Sequence, residues 1–169
     1  SDYPITTYIK KKKRNIEPNL IKKIVFDDTE TEELKINTIK NSEYGYNYTG
    51  LIVLDFTKAT NLETIEDYAF SNCSNLTTII FPEQLKNINM AAFSSCEKLI
   101  TIKLPQNLIN IGQSAFHECK GLQNIDFSSA TNLETIGKSA FQNCTGLKNL
   151  DFSGATKLKT INEVAFLGC

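Results

Sequence analysis

Tryptophan is missing from this 169-residue chain, and histidine and methionine occur once each. A single imidazole leaves no histidine pair for a zinc centre. His117 also has no nucleophile and carboxylate arranged around it as an acid–base relay requires. Eighteen basic residues against nineteen acidic ones give a net charge of −1, so no strong field favours nucleic acid. No apolar run is long enough to span a bilayer, and the start carries no apolar leader core. Neither nucleic-acid binding nor membrane insertion of this segment is therefore expected. The chain is 41% apolar, enough to bury a sizeable core.

What is present is periodic. The pair Ala-Phe returns five times, each time with a cysteine three residues after the Phe: Ala69-Phe70 and Cys73, Ala92-Phe93 and Cys96, Ala115-Phe116 and Cys119, Ala140-Phe141 and Cys144, Ala165-Phe166 and Cys169. The Phe-to-Phe steps are 23, 23, 25 and 25 residues. Self-similarity at this period marks a solenoid, whose units bury their apolar faces only against their neighbours. Each unit opens with a Leu-x-x-(Leu/Ile)-x-(Leu/Phe) run, as in Leu99, Ile102 and Leu104, whose last positions alternate like a strand with one buried face. A second apolar pair follows, such as Leu108 and Ile111. The Ala-Phe-x-x-Cys segment places Phe and Cys on one face of a single helical turn. The 23-residue units turn at Pro82 and Pro105. The longer ones replace proline with a wider loop that tucks Ala59, Ala130 or Ala155 inward.

These residues resemble the BspA-like (Treponema pallidum-type) class of leucine-rich repeats, whose units read close to Leu-x-x-Ile-x-Leu-Pro, then Leu-x-x-Ile-x-x-x-Ala-Phe-x-x-Cys. Residues 99–119 match nearly every fixed position, and the resemblance covers 51–169, about seven tenths of the chain. The expected fold class is α/β: a leucine-rich-repeat solenoid with a parallel β-sheet on the concave side and short helical turns on the convex side. The resemblance implies a non-enzymatic recognition module without cofactor, of the kind found on cell surfaces and associated with adhesion to host matrix proteins and other cells.

Residues 1–50 fit less well. Ile21, Ile24 and Phe26 have the opening spacing and Ile36 and Ile39 stand where a second pair belongs, but Tyr44, Tyr46 and Tyr48 replace the Ala-Phe-x-x-Cys segment. This region reads as an N-terminal arm and a degenerate capping repeat, with five repeats over 51–169. The absence of a polar cap after Cys169 suggests a fragment of a longer array.

The odd, one-per-repeat cysteine count argues for reduced, buried thiols packing as small apolar residues, with neither disulfides nor a metal site. Lys10 to Arg14 form a basic run read as a solvated arm, offset by Asp27, Asp28, Glu30, Glu32 and Glu33. Sequons occur at Asn47, Asn72, Asn75 and Asn143, and only Asn47 lies outside the repeat's own turn chemistry. The candidate ligand face is the set of variable strand positions projecting from the concave sheet. Beyond Val53 and Asp55 it comprises Thr78, Ile80, Thr101, Lys103, Asn124, Asp126, Asn149 and Asp151. A protein or glycan ligand is the expected partner, and a cell-surface or secreted location the expected setting. An intracellular scaffold is the alternative, suggested by the free thiols.

Overall fold

Alternating residues such as Thr101-Ile102-Lys103 put one side chain into the core and its neighbours into solvent, and this pattern forms strands here. The computed structural model describes residues 48–169 and three short strands before them. In chain order the strands are β1 (Thr6–Tyr8), β2 (Lys23–Asp27), β3 (Thr38–Ile39), β4 (Val53–Lys58), β5 (Thr64–Ile65), β6 (Thr78–Ile80), β7 (Asn87–Ile88), β8 (Thr101–Lys103), β9 (Asn110–Ile111), β10 (Asn124–Asp126), β11 (Thr135–Ile136) and β12 (Thr160–Ile161). The described residues form a parallel-strand solenoid of about five turns. Along one side run β1-β2-β4-β6 and then the pair β8-β10; along another runs a continuous ladder, β3-β5-β7-β9-β11-β12. Register joins equivalent residues, as Ile125 opposite Ile102 and Ile111 opposite Ile88.

The second ladder was not expected. Its strands grow from the second apolar pairs, where a Thr or Asn precedes each Ile: Thr64-Ile65, Asn87-Ile88, Asn110-Ile111, Thr135-Ile136 and Thr160-Ile161. Each dipeptide is too short to show alternation, but stacking one repeat on the next supplies its hydrogen-bond partners. The fifth opening run behaves differently from the other four. Residues 149–151 form no strand, and Leu150 is 37% exposed where Ile102 is 0% exposed.

The Ala-Phe-x-x-Cys segments also depart from expectation: no helix occurs among the described residues, and these segments are stacked turns. The residue before each Ala and the residue before each Cys adopt left-handed backbone, with φ of 57° at Tyr68, 62° at Asn72, 54° at Ser114 and 57° at Glu118. Alternate amides then point along the stack. Tyr68, Phe70 and Asn72 donate to the carbonyls of Met90, Ala92 and Ser94 in the next repeat, at 2.8–2.9 Å. The amides between them close local turns, as Ser71 to Tyr68 at 3.2 Å. A helix would direct its N–H groups back along its own chain. The bonds between repeats use them instead, and they offset a left-handed penalty of roughly 1–2 kcal/mol per residue.

Between the ladders and the turns lies the core. Leu54, Leu62, Ile65, Phe93, Phe116 and Phe141 are fully buried, whereas in the fifth repeat Leu158 and Phe166 are only partly so. The Phe rings stack in a column, with Phe93 to Phe116 and Phe116 to Phe141 both 5.3 Å between centroids. Ala59, Ala130 and Ala155 are buried in the wider loops, as the spacing suggested.

Candidate functional site

The strand residues between the buried Ile79, Ile102 and Ile125 face outward. Thr78, Ile80, Thr101, Lys103 and Asn124 are exposed and Asp126 is half-buried. Register sets Thr101 beside Asn124 and Lys103 beside Asp126. Asn149 and Asp151 are exposed too, but on a segment that is not a strand. Among the described residues, the side chains of Thr101, Lys103, Asn124 and Asn149 make no hydrogen bond and no close ion pair.

The acidic members are held by local turns. The Ser128 amide donates to the Asp126 carboxylate at 2.9 Å, and the Ser153 amide to Asp151 at 2.9 Å. Hydrogen bonds from Ser128 lower the Asp126 pKa, aided by the positive charge of Lys103. Asp151 is lowered by its bonds from Ser153. At Asp55, desolvation pushes upward, but the Thr57 amide and hydroxyl at 3.0 and 2.7 Å, with Lys23 at 3.6 Å, together bring the carboxyl below its usual range. All three are anions at neutral pH.

Away from this strip, polar side chains bond from one repeat to the next. Lys86 reaches Glu63 at 2.8 Å, Lys120 reaches Glu97 at 3.0 Å, Lys159 reaches Glu134 at 2.9 Å, and Asn110 donates to Asn87 at 2.9 Å. Ile52 and Ile100, 38% and 48% exposed at the entries to β4 and β8, add apolar surface that the reading of variable positions missed. Their sequence signal is an apolar doublet, Leu51-Ile52 and Leu99-Ile100, where other repeats carry Thr77, Gln123 or Lys148.

The remaining candidates are dispersed. His117 is half-buried on the turn side, where its carbonyl accepts the Ser95 amide at 2.7 Å. The Asn75 side chain donates to the Thr49 carbonyl at 2.6 Å, and Asn72 and Asn143 occupy left-handed turn positions. The basic run at 10–14 and Asn47 lie outside the described residues. All five cysteines are free thiols, buried except Cys169. They do more than pack, however, because the thiols of Cys96, Cys119, Cys144 and Cys169 each contact the Phe carbonyl one repeat back.

Among solved structures, the chain resembles the leucine-rich-repeat protein of T. pallidum, at 21% identity and a TM-score of 0.60, covering 80% of this chain and 77% of that one. It is also similar to a leucine-rich cell surface protein of Faecalibacterium prausnitzii, at 24% identity and a TM-score of 0.56, covering 76% of this chain and 38% of that one. The pneumococcal vaccine antigen PcpA is 28% identical with a TM-score of 0.51, covering 75% of this chain and 32% of that one. The chain thus spans well under half the length of the latter two. Comparison with curated proteins finds no match. The BspA-type leucine-rich-repeat region matches residues 38–169 in six copies, and the chain belongs to that family.

Proposed function

We propose that this chain is a binding module rather than an enzyme, and that it engages a protein or glycan partner through the strip Thr78, Ile80, Thr101, Lys103, Asn124, Asp126, Asn149 and Asp151. One observation carries the reading. Polar side chains on the flanks are occupied in bonds between repeats, whereas Thr101, Lys103, Asn124 and Asn149 present unengaged donors and acceptors on a rigid scaffold. Preorganised side chains of this kind lose little entropy on binding. The Phe column supports a concave strand side. Its rings are 5.2–5.5 Å apart, against the roughly 4.8 Å usual between paired strands, so the turn side is the longer arc.

A cell-surface or secreted setting fits the likeness to the F. prausnitzii protein, a leucine-rich cell surface protein. An intracellular scaffold is the second reading, favoured by five free thiols, since a reducing compartment preserves them. We assign residues 1–50 to an N-terminal arm and cap, and 51–169 to the recognition array. The test is saturable binding of the intact chain to immobilised matrix proteins and to a glycan array. A partner in either panel, competed by excess soluble chain, supports the reading; saturable binding to neither overturns it.

A further inference from the structure

Exposed apolar surface in the first four repeats is gathered rather than scattered. Ahead of the fifth repeat, the large apolar side chains exposed among the described residues are Ile52, Tyr68, Ile80 and Ile100. Tyr68 stands on the turn side, where its hydroxyl meets the Met90 sulfur at 3.9 Å. The three isoleucines, 38%, 41% and 48% exposed, lie on the strand side of the first three repeats. Ile52 and Ile100 precede β4 and β8, and Ile80 closes β6. Between Ile80 and Ile100 come Thr78 and Thr101, at equivalent outward places on β6 and β8, two strands in contact. The result is a shallow seat, with a floor of two threonines and an isoleucine at each end.

The charges beside this seat are unequal. Asp55, at the place of Ile80 one repeat earlier, is matched by Lys23 at 3.6 Å and by the amide and hydroxyl of Thr57. Lys103 holds that place one repeat later and makes no close ion pair among the described residues. Asp126, on the far side of Lys103, is held by the Ser128 amide at 2.9 Å. An anion arriving over the seat therefore meets an unmatched ammonium one strand spacing, about 4.8 Å, from Ile80. None of the outward residues of β4, β6, β8 and β10 is aromatic, so no ring there can stack a sugar. Isoleucines offer sugar hydroxyls no hydrogen bond either. Such a seat suits an apolar side chain with a carboxylate nearby.

We propose, resting on the reading of the strip as a ligand face, that the partner is a polypeptide segment carrying an apolar side chain and a carboxylate two residues apart in extended chain. The apolar side chain fills the seat between Ile80 and Ile100, and the carboxylate pairs with Lys103. Residues two apart in an extended chain project to the same side about 6.6 Å from each other, a span that the long lysine side chain accommodates. Burial of apolar area supplies the attraction. The ion pair sets orientation and selects against cationic segments.

The probe is the blocked peptide acetyl-Ser-Phe-Ser-Glu-Ser-amide, titrated into the full chain while its isoleucine methyls are followed by NMR. Saturable shifts are expected at Ile80 and Ile100 at millimolar peptide, with the buried Ile88 and Ile136 unmoved. Exchanging the peptide's Glu for Lys should weaken it about tenfold or more, and exchanging its Phe for Ser should abolish the shifts. Two variants borrow residues that other repeats carry at the same places, so the fold accommodates them. Lys103→Asp, matching Asp126, should reverse the preference between the Glu and Lys peptides. Ile100→Gln, matching Gln123, should weaken the Glu peptide about fivefold. The proposal is overturned by absence of shifts at millimolar peptide, by equal affinity for the Glu and Lys peptides, or by shifts at Ile161 alone. If instead a glycan binds saturably and Lys103→Asp abolishes that binding, the ligand strip stands and the polypeptide assignment falls.

Discussion

The Cys119 thiol lies 3.3 Å from the main-chain carbonyl oxygen of Phe93, one repeat back, and donates to it. The same contact recurs from Cys96 to Phe70 at 3.5 Å and from Cys144 to Phe116 at 3.2 Å. The Phe93 carbonyl also accepts the Cys96 amide at a long 3.4 Å, so the thiol supplements a weak bond inside the core. Replacing Cys119 with Ala is expected to cost about 1–3 kcal/mol, from an under-satisfied buried carbonyl and a small void. Serine keeps a donor and should be no worse than alanine. Urea unfolding of both variants decides the matter: a serine variant clearly less stable than alanine would mean that the site demands only apolarity.

Thiol chemistry gives a second prediction. Burial pushes the Cys73 thiol up to about 12, and burial also raises Cys119. Cys144 is raised first by its hydrogen bond with Cys119 and then by burial. Raised thiol pKa values make the folded chain keep protons that the unfolded chain releases above about 8.5. The associated stability is complete below that pH and declines as pH rises toward 12. Thermal midpoints measured from pH 7 to 10.5 should fall above about pH 9, and less steeply in Cys73→Ala. At pH 7.5 maleimide should label Cys169 rapidly and the other four slowly. Fast native labelling of Cys119 would remove the buried-ladder account.

Ring stacking sets the third. Phe116 is fully buried between Phe93 and Phe141, whereas Phe166 has a stacked ring on one side only and Phe152 edge-on at 6.0 Å. Phe116→Ala is expected to cost about 3–5 kcal/mol, and Phe166→Ala distinctly less. Equal losses in denaturant titrations would contradict a stack stabilised by nearest neighbours.

The strand alternation around Ile102 and Ile125 was legible because successive repeats state it again, and the inward Ala130 because Ala59 and Ala155 repeat it in the other longer units. The turn conformation was not. Phe116 and Cys119 point inward from a helical turn or from two left-handed residues alike, and the spacing cannot tell them apart. Only the neighbouring repeat's carbonyls, at Ala140 and Gln142, choose the second form. The second ladder was hidden for the same reason, since Asn110-Ile111 becomes a strand through Asn87-Ile88 and Thr135-Ile136. At the proposed strip the outward positions on β6, β8 and β10 followed from period two, but which polar groups stay unengaged depended on contacts between repeats that a single unit does not show.

A fourth test uses the close approach of adjacent repeats. A Cβ added at Gly137 would lie 2.6 Å from the Gly112 carbonyl carbon and 2.7 Å from the Gln113 nitrogen. Both are backbone atoms, so relief requires the fourth repeat to move off the third. Gly137→Ala should lower stability by about 1–3 kcal/mol despite alanine's smaller loss of chain entropy on folding. A neutral or stabilising result would show that the spacing between repeats can expand freely.

The last prediction concerns recognition. Lys103 and Asp126 are register partners on adjacent strands, and Lys103 makes no close ion pair among the described residues. Lys103→Glu and Asp126→Lys should each weaken a partner found in the binding panels by about tenfold or more, as expected for charges read directly by a ligand. Stability should change by only about 1 kcal/mol, Asp126→Lys losing its bond from the Ser128 amide. On the turn side Glu118→Lys and Lys138→Glu are the controls. The Lys138 pair with Glu163 is an exposed contact at 3.0 Å, so its loss should matter little to fold or binding. Exchanging the two charges in one chain, Lys103→Glu with Asp126→Lys, keeps the net charge and restores an opposite-sign pair. A ligand reading each position separately will still bind weakly to that chain, whereas full recovery would show that the pair serves only the sheet. Stronger losses from the turn-side controls than from the strand reversals would move the binding site off the strip altogether.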